Sequence, residues 1–167
     1  MRVAGTDPGT SSLDLLILED GAVADQHRIP AAELRADPAA AVRWLADRGP
    51  FDLIAGPSGY GLPLKRAQDC TDDDLALMTL VRPDEAGQDQ GVTGFKALLR
   101  TFRASDLPVV FLPGVIHLPT VPAWRKLNRI DLGTADKVCV AALAVAREGE
   151  APAEPGALAA RQEPRPP

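Results

Sequence analysis

The first side chains that could do chemistry lie in one short turn near the start of the chain. An apolar run ends at Asp7, and Pro8-Gly9-Thr10-Ser11 then turns the chain toward a second apolar run. Backbone N–H groups and hydroxyls in such a turn can point at a phosphate. A carboxylate at the end of the strand suits a magnesium ion or its water, because hard cations prefer oxygen ligands. The same residues also suit a plain tight turn with proline at its second position, so the motif alone leaves both interpretations open.

A second Gly-rich loop follows a later apolar stretch. Residues 51–55 are typical of a short strand, and Gly56-Pro57-Ser58-Gly59-Tyr60-Gly61 comes directly after it. In open α/β sheets, ligands bind at the carboxyl ends of the strands. We therefore expect Ser58 and Gly59 to lie at the same edge of a sheet as Asp7.

The elements that must position these loops alternate between strands and helices. Three leading strands form a meander, in which Asp20-Gly21 suits a hairpin turn. The second strand is apolar on both faces, which predicts a sheet covered on both sides. The sequence therefore predicts an α/β layer fold with a mixed sheet and helices on both faces. The predicted strands span 3–6, 13–19, 22–28, 51–55 and 108–112, and the predicted helices span 37–48, 72–81, 92–103 and 134–148.

Composition narrows the class of protein. The chain has 167 residues, which suits one domain, and a net charge of −5 without any block of Lys or Arg. An acidic chain of this kind is a poor candidate for binding nucleic acid or a membrane surface. Cys70 and Cys139 lie far apart, and the chain start lacks the apolar core of a signal peptide, so we expect a cytoplasmic protein. The Pro- and Ala-rich residues 149–167 cannot form a packed core, so we expect a folded domain over 1–148 and a disordered tail.

Four stretches together resemble a known family. They are G-T-D-P-G-T-S-S at 5–12, A-G-P-S-G-Y-G-L-P-L at 55–64, F-L-P-G-V-I-H-L-P-T-V-P at 111–122 and R-K-L-N-R-I-D-L-G-T-A-D-K at 125–137. The first resembles the phosphate motif of the superfamily of acetate and sugar kinases, heat-shock ATPases and actin. All four, in this order, resemble the predicted butyrate kinase-like proteins over about residues 1–147.

The resemblance implies two ribonuclease H-like lobes with ATP and Mg²⁺ bound between them, and phosphoryl transfer to a small carboxylate. Asp7 would orient the magnesium ion, and Gly9, Thr10 and Ser11 would hold the phosphates. Ser58 and Gly59 would shape the acceptor pocket. Arg125 or Lys137 would neutralise a carboxylate or the transferring phosphoryl group. The residues that would line the cleft are His117, Arg125, Lys126, Asp131, Gly133, Thr134 and Lys137.

Plain structural roles compete with several of these assignments. His117 lies in an apolar segment and suits a satisfied, partly buried histidine. Thr134 is also a good N-cap for the last helix, and Lys137 is also placed to be merely exposed. The acidic triplet Asp72-Asp73-Asp74 favours a solvated helix start over a metal site, because adjacent side chains on a helix point apart.

The second lobe of the resembling kinases has no counterpart after Ala146. We therefore expect the chain to act as an N-terminal half, inactive by itself, completed by a separate C-terminal lobe or by a homodimer. The last helix is apolar over most of its circumference, which predicts that it is buried. Two alternatives stay open: a non-catalytic lobe that binds nucleotide or a partner, and a resolvase-type metal-dependent nuclease, which needs three or four converging carboxylates.

Overall fold

A six-stranded mixed sheet is the centre of the fold. The computed structural model describes residues 1–80, 90–128 and 132–150. Along the sheet the strands lie in the order β3-β2-β1-β4-β6-β5. Strands β1, β4 and β6 run parallel to one another, while β2 is antiparallel to β1 and β3, and β5 is antiparallel to β6. The strands are β1 (Arg2–Pro8), β2 (Ser12–Glu19), β3 (Ala22–Pro30), β4 (Leu53–Ala55), β5 (Lys65–Arg66) and β6 (Val109–Phe111).

Helices connect and flank these strands. Among the described residues the α-helices are α1 (Ala31–Ala36), α2 (Ala40–Ala46), α3 (Asp72–Thr79), α4 (Gln90–Arg103) and α5 (Ala135–Glu150). Short 3₁₀ turns occupy Ala67–Asp69, Val115–His117 and Ala123–Leu127.

The five strands predicted from the sequence are all present. The Asp20-Gly21 hairpin is confirmed, since both residues have positive φ, at 50° and 84°. The helix expected from Asp37 begins at Ala40, after a turn in which the Asp37 carbonyl accepts the N–H of Ala40 at 3.1 Å. Helix α1 and strand β5 were not predicted, because six and two residues are too few to show a hydrophobic period.

The helix at the acidic triplet is confirmed and its cap is visible. The Thr71 hydroxyl accepts the N–H of Asp74, and the Asp74 carboxylate accepts the N–H of Thr71 at 2.8 Å. This reciprocal pair of hydrogen bonds is a capping box. It gives the Asp74 carboxylate a structural role that requires no metal ion.

The hydrophobic core lies on one face of the sheet. Leu13, Leu15 and Ile17 of β2 point into it, together with Ile54 of β4 and Phe111 of β6. Helices α2, α3 and α4 cover this face with buried side chains, namely Ala41, Leu45, Leu75, Met78, Leu98, Leu99 and Phe102. Successive side chains of β2 alternate in direction, so Leu13, Leu15 and Ile17 face the core while the residues between them lie on the opposite face of the sheet.

Among the described residues, that second face is covered much less than the core face. Leu16 of β2 and Leu53 of β4 are 37% and 43% exposed. A Cβ added to Gly5 would meet no atom within 4 Å. The cause is that α2, α3 and α4 share the core face, which leaves α5 alone to flank the other one. We call this second surface the open face.

Helix α5 is also far more exposed than its composition predicted. Ala135 at its start is buried, whereas Val140, Leu143 and Val145 are 65%, 55% and 73% exposed. It contacts the turn Val115–His117, and the N–H of Ala135 at its start donates to the Gly59 carbonyl at 2.9 Å. The helix therefore presents an apolar surface instead of joining the core.

None of the helices in the described ranges combines the length and hydrophobicity that a membrane span requires. The expected end of the ordered domain is not tested, because residues 151–167 lie outside the described residues.

Candidate functional site

A cleft of about 980 Å³ lies over the open face at the carboxyl ends of β1 and β4. Its floor is the central part of the sheet, and the first turns of α5 form one wall. Polar residues from five segments of the chain line it, among them Asp7, Asp14, Gln26, Arg28, Ser58, Thr134 and Asp136.

Asp7 lies at the carboxyl end of β1, as the sequence predicted, one residue before Pro8 ends the strand. It is on the open face. Its side chain is exposed, and within the described ranges it makes no ion pair or side-chain hydrogen bond. Its negative charge contributes slightly to the raised pKa of Lys137, after the larger effects of Asp136. Asp7 is therefore a free carboxylate with a cation in its neighbourhood.

The turn after Asp7 is tied internally by backbone hydrogen bonds. The N–H of Gly9 donates to the carbonyl of Ser12 at 2.8 Å, and the carbonyl of Ser11 accepts the N–H of Ala31 at 2.8 Å. The N–H of Gly9 is thus already used, while the side chains of Thr10 and Ser11 are exposed. In this turn, the hydroxyls rather than the Gly9 amide are available to a ligand.

Ser58 is a structural bridge. It is buried, its hydroxyl donates to the Gly56 carbonyl at 2.8 Å, and its oxygen accepts the N–H of Leu112 at 2.8 Å. The hydroxyl therefore joins the loop after β4 to the chain after β6. Ser58 lines the cleft, but its hydrogen bonds hold the two strand ends together.

Glycines let three loops interlock at this edge of the sheet. Gly59 and Gly61 have positive φ, at 51° and 83°. A Cβ at Gly61 would lie 2.1 Å from the Gly114 nitrogen, and one at Gly59 would lie 2.6 Å from the Met78 oxygen. The carbonyl of Gly59 accepts the N–H of Ala135, and the carbonyl of Gly133 accepts that of Val115. Close backbone packing explains these glycines without a ligand.

The start of α5 brings a polar cluster to the cleft. The Thr134 hydroxyl donates to the Asp136 carboxylate, which also accepts from the Lys137 ammonium at 2.6 Å. Partial burial raises the pKa of Asp136, but the hydrogen bonds from Lys137 and Thr134 outweigh it and lower that pKa overall. The hydrogen bond to Asp136 and its charge raise the pKa of Lys137. Both groups are therefore charged near neutral pH.

Other residues expected in the cleft lie elsewhere. His117 accepts the N–H of Gly114 at its Nδ1, at 3.2 Å, which stabilises its own turn. Arg125 stacks on the ring of Trp124 at 4.8 Å, and Lys126 donates to the Leu118 carbonyl at 2.8 Å. None of these three side chains lines the cleft. Asp131 lies outside the described residues.

The sequence pattern of one protein family matches residues 5–158, a span that includes every candidate site residue. That family is described as "Protein of unknown function (DUF1464)". The chain belongs to this family. No curated protein matches the chain.

The DUF1464 chain also has cleft residues that the sequence analysis missed. Asp14 of β2 lies directly opposite Asp7 of β1, and Arg28 of β3 lies directly opposite Asp14. The Arg28 guanidinium donates to the Asp14 carboxylate at 2.5 Å. Asp14 could have been noticed as the single charge inside an apolar run. Its pairing with Arg28 depends on a bulge between Ile17 and Leu18 that leaves no mark in the sequence.

The donor set of the cleft limits its chemistry. The described residues contain no group of three or more His, Cys, Asp or Glu side chains that could hold a metal ion. A multi-carboxylate metal centre is therefore not formed by them. The free carboxylate of Asp7 lines the cleft together with Arg28, and its charge also acts on Lys137. This arrangement instead suits an anion that brings its own metal ion.

Proposed function

We propose that this chain is the nucleotide-binding lobe of an ATP-dependent phosphotransferase that acts on a small carboxylate, with a ribonuclease H-like fold. The strand order supports the fold, since three meander strands are followed by parallel strands reached through helical crossovers. The family description assigns no activity, so the proposal depends on the residues of the cleft.

The observation that carries the proposal is the position of Asp7. Its carboxylate makes no ion pair among the described residues and lines a large cleft, one residue before the end of β1. The exposed hydroxyls of Thr10 and Ser11 follow in the next turn. Magnesium is typically held by one or two carboxylates, water and the phosphates of the substrate, so one carboxylate is a sufficient protein contribution. Bound Mg²⁺–ATP would supply the phosphoryl group and neutralise part of its charge.

The remaining cleft residues bind and orient anions in this proposal. Arg28 lines the cleft, and Lys137 is the neighbour of the lining residue Asp136. Both supply positive charge, and each is held by a nearby carboxylate. Arg125 has no such role, because it stacks on Trp124 outside the cleft. Phosphoryl transfer depends mainly on such positioning and charge stabilisation.

The cleft needs a cover to exclude water. We propose that a second lobe, carried by another chain or by a longer form of this one, closes over the open face and packs on α5. The exposed Val140, Leu143 and Val145 support this view, because a soluble domain rarely leaves such residues clustered. The lobe alone is then expected to bind nucleotide weakly.

Isothermal titration calorimetry with Mg²⁺–ATP tests both the nucleotide site at Asp7 and the need for a second lobe. We expect weak binding, with a dissociation constant of about 1 mM, which Asp7→Asn removes and Asp106→Asn does not. Asp106 is a matched control, being exposed and outside the cleft. Equal binding by wild type and Asp7→Asn would contradict the site, whereas micromolar binding by the chain alone would contradict the need for a second lobe.

A second candidate function is a non-catalytic lobe that binds a partner through α5. The exposed apolar surface of this helix favours it independently of the cleft. Analytical ultracentrifugation distinguishes the two candidates: a stable dimer that Leu143→Glu dissociates would favour the partner-binding role.

A resolvase-type nuclease is the weakest candidate, since its metal centre needs more carboxylates than the described residues bring together.

A further inference from the structure

A second cavity lies on the opposite side of the turn that follows Asp7. This groove has a volume of about 420 Å³, within the range of small-molecule sites. It lies between α1, α3, α4 and the β1–β2 turn. Pro8, Gly59 and Thr134 line both the groove and the cleft, so these three residues form a shared wall.

The floor of the groove is apolar. Leu13, Met78 and Leu98 are almost fully buried beneath it, and Leu34 and Phe95 form its half-buried sides. Burial of a hydrocarbon chain against such a floor is favourable in proportion to the area removed from water.

One cation stands at the rim. Arg35, near the end of α1, is the one charged residue among the described residues that line the groove. It is exposed and forms no ion pair within the described ranges. Its side-chain stem passes close to α4 at Gly94, where an added Cβ would lie 3.2 Å from Arg35 Cγ. The missing side chain at Gly94 thus leaves room for Arg35 beside the apolar floor.

We propose that the groove is a second small-molecule site, which takes an apolar monoanion with its chain on the floor and its charge on Arg35. Arg35 is a suitable partner because guanidinium groups bind carboxylates through paired hydrogen bonds. The proposal does not depend on nucleotide binding in the cleft.

Methionine labelling gives a direct local readout. The chain has two methionines: Met78 lines the groove, and Met1 is 75% exposed at the chain start. With ¹³C-methyl methionine in the full chain, titration with sodium octanoate should move the Met78 signal and leave Met1 unchanged. Equal movement of both signals, or none in Met78, would overturn the proposal.

A ligand series tests the chemistry. From butanoate to octanoate, affinity should rise about fourfold per methylene. Octan-1-ol and octylammonium, of equal chain length, should bind at least about tenfold more weakly, because they lack the negative charge. Equal affinity of octanol and octanoate would contradict the role of Arg35.

Single variants distinguish octanoate binding in the groove from nucleotide binding in the cleft. Arg35→Gln should weaken octanoate at least about tenfold and leave octanol unchanged, whereas Arg66→Gln, an exposed arginine outside the groove, should change neither. Asp7→Asn should keep octanoate binding while it loses nucleotide. Loss of octanoate binding in Asp7→Asn, or equal binding by Arg35→Gln and Arg66→Gln, would refute the groove as the site.

Discussion

Asp14 lies directly opposite Asp7 on the open face, one strand further from the cleft wall formed by α5. Two carboxylates in a cross-strand pair repel each other. Arg28 on the next strand offsets this repulsion by pairing with Asp14, and the pairing raises the pKa of Arg28. The row of three residues thus leaves Asp7 as the free carboxylate.

This row predicts a coupled response to mutation. Arg28→Gln should weaken Mg²⁺–nucleotide binding at least about tenfold, because a charged hydrogen-bond partner is lost and Asp14 is left unpaired. The double variant Asp14→Asn/Arg28→Gln should recover part of that loss. Titration calorimetry of the wild type, the single variants Asp14→Asn and Arg28→Gln, and the double variant measures the coupling. Strictly additive effects would show that Asp14 and Arg28 act on nucleotide binding independently.

Ser58→Ala should destabilise the fold by about 1–3 kcal/mol, because it removes both hydrogen bonds of the hydroxyl and leaves the N–H of Leu112 without its acceptor. Urea denaturation measures this change. Ser11→Ala is the matched control and should be neutral, since its hydroxyl is exposed. Similar stability of the two variants would contradict the bridging role of Ser58.

Glycine replacement should separate backbone strain from crowding. Gly21 and Gly61 both have φ near 84°, but a Cβ at Gly21 would meet no atom within 4 Å. Gly21→Ala should therefore cost about 1–2 kcal/mol, from conformation alone. Gly61→Ala should cost at least about 1–3 kcal/mol more, because its Cβ overlaps Gly114. Equal losses in thermal or urea unfolding would show that the loops do not interlock as described.

The cap of α3 predicts an acid-sensitive stability. The hydrogen bond from Lys65, followed by that from the Thr71 backbone, lowers the pKa of Asp74 below its ordinary 3.8. Because the pKa of Asp74 is lower in the folded state, its carboxylate contributes fully to the free energy of unfolding above about pH 4. This stabilisation is lost as the pH falls through the pKa of Asp74 in the folded state. Asp74→Asn should flatten the loss of stability in that range, whereas Asp73→Asn in the same helical turn should not.

Thr71→Ala provides an independent check on the same cap. It should cost about 1 kcal/mol at neutral pH, because the N–H of Asp74 loses its acceptor. Unfolding curves of Thr71→Ala that match wild type would contradict the capping box.

Local patterns in the sequence were sufficient to predict the principal strands and the helices at 72 and 92, because their residues alternate or repeat with the correct period. They were also sufficient to place Asp7 and Ser58 at one edge of the sheet. The open face could not be predicted, since the apolar residues of β2 do not reveal which of their two sides a helix will cover.

The pairing of Asp14 with Arg28 escaped prediction for a geometric reason. Without the extra residue that the bulge inserts into β3, the register set by the Asp20-Gly21 hairpin would place His27 opposite Asp14. Arg28 would then lie on the other face of the sheet, away from Asp14. Gly59 and Gly133 were expected to line the acceptor pocket and the cleft, but their close contacts are with other segments of the chain. Both the pairing of Asp14 with Arg28 and the roles of these glycines depend on contacts between segments that are distant in sequence.

The wall formed by Pro8, Gly59 and Thr134 has a thermodynamic consequence. A ligand in the groove and a ligand in the cleft touch opposite sides of the same backbone, so each can shift the affinity of the other. Linkage requires the two shifts to be equal. Whatever factor octanoate imposes on nucleotide affinity, nucleotide must impose on octanoate, and this chain could therefore report the concentration of one metabolite through its occupancy by another.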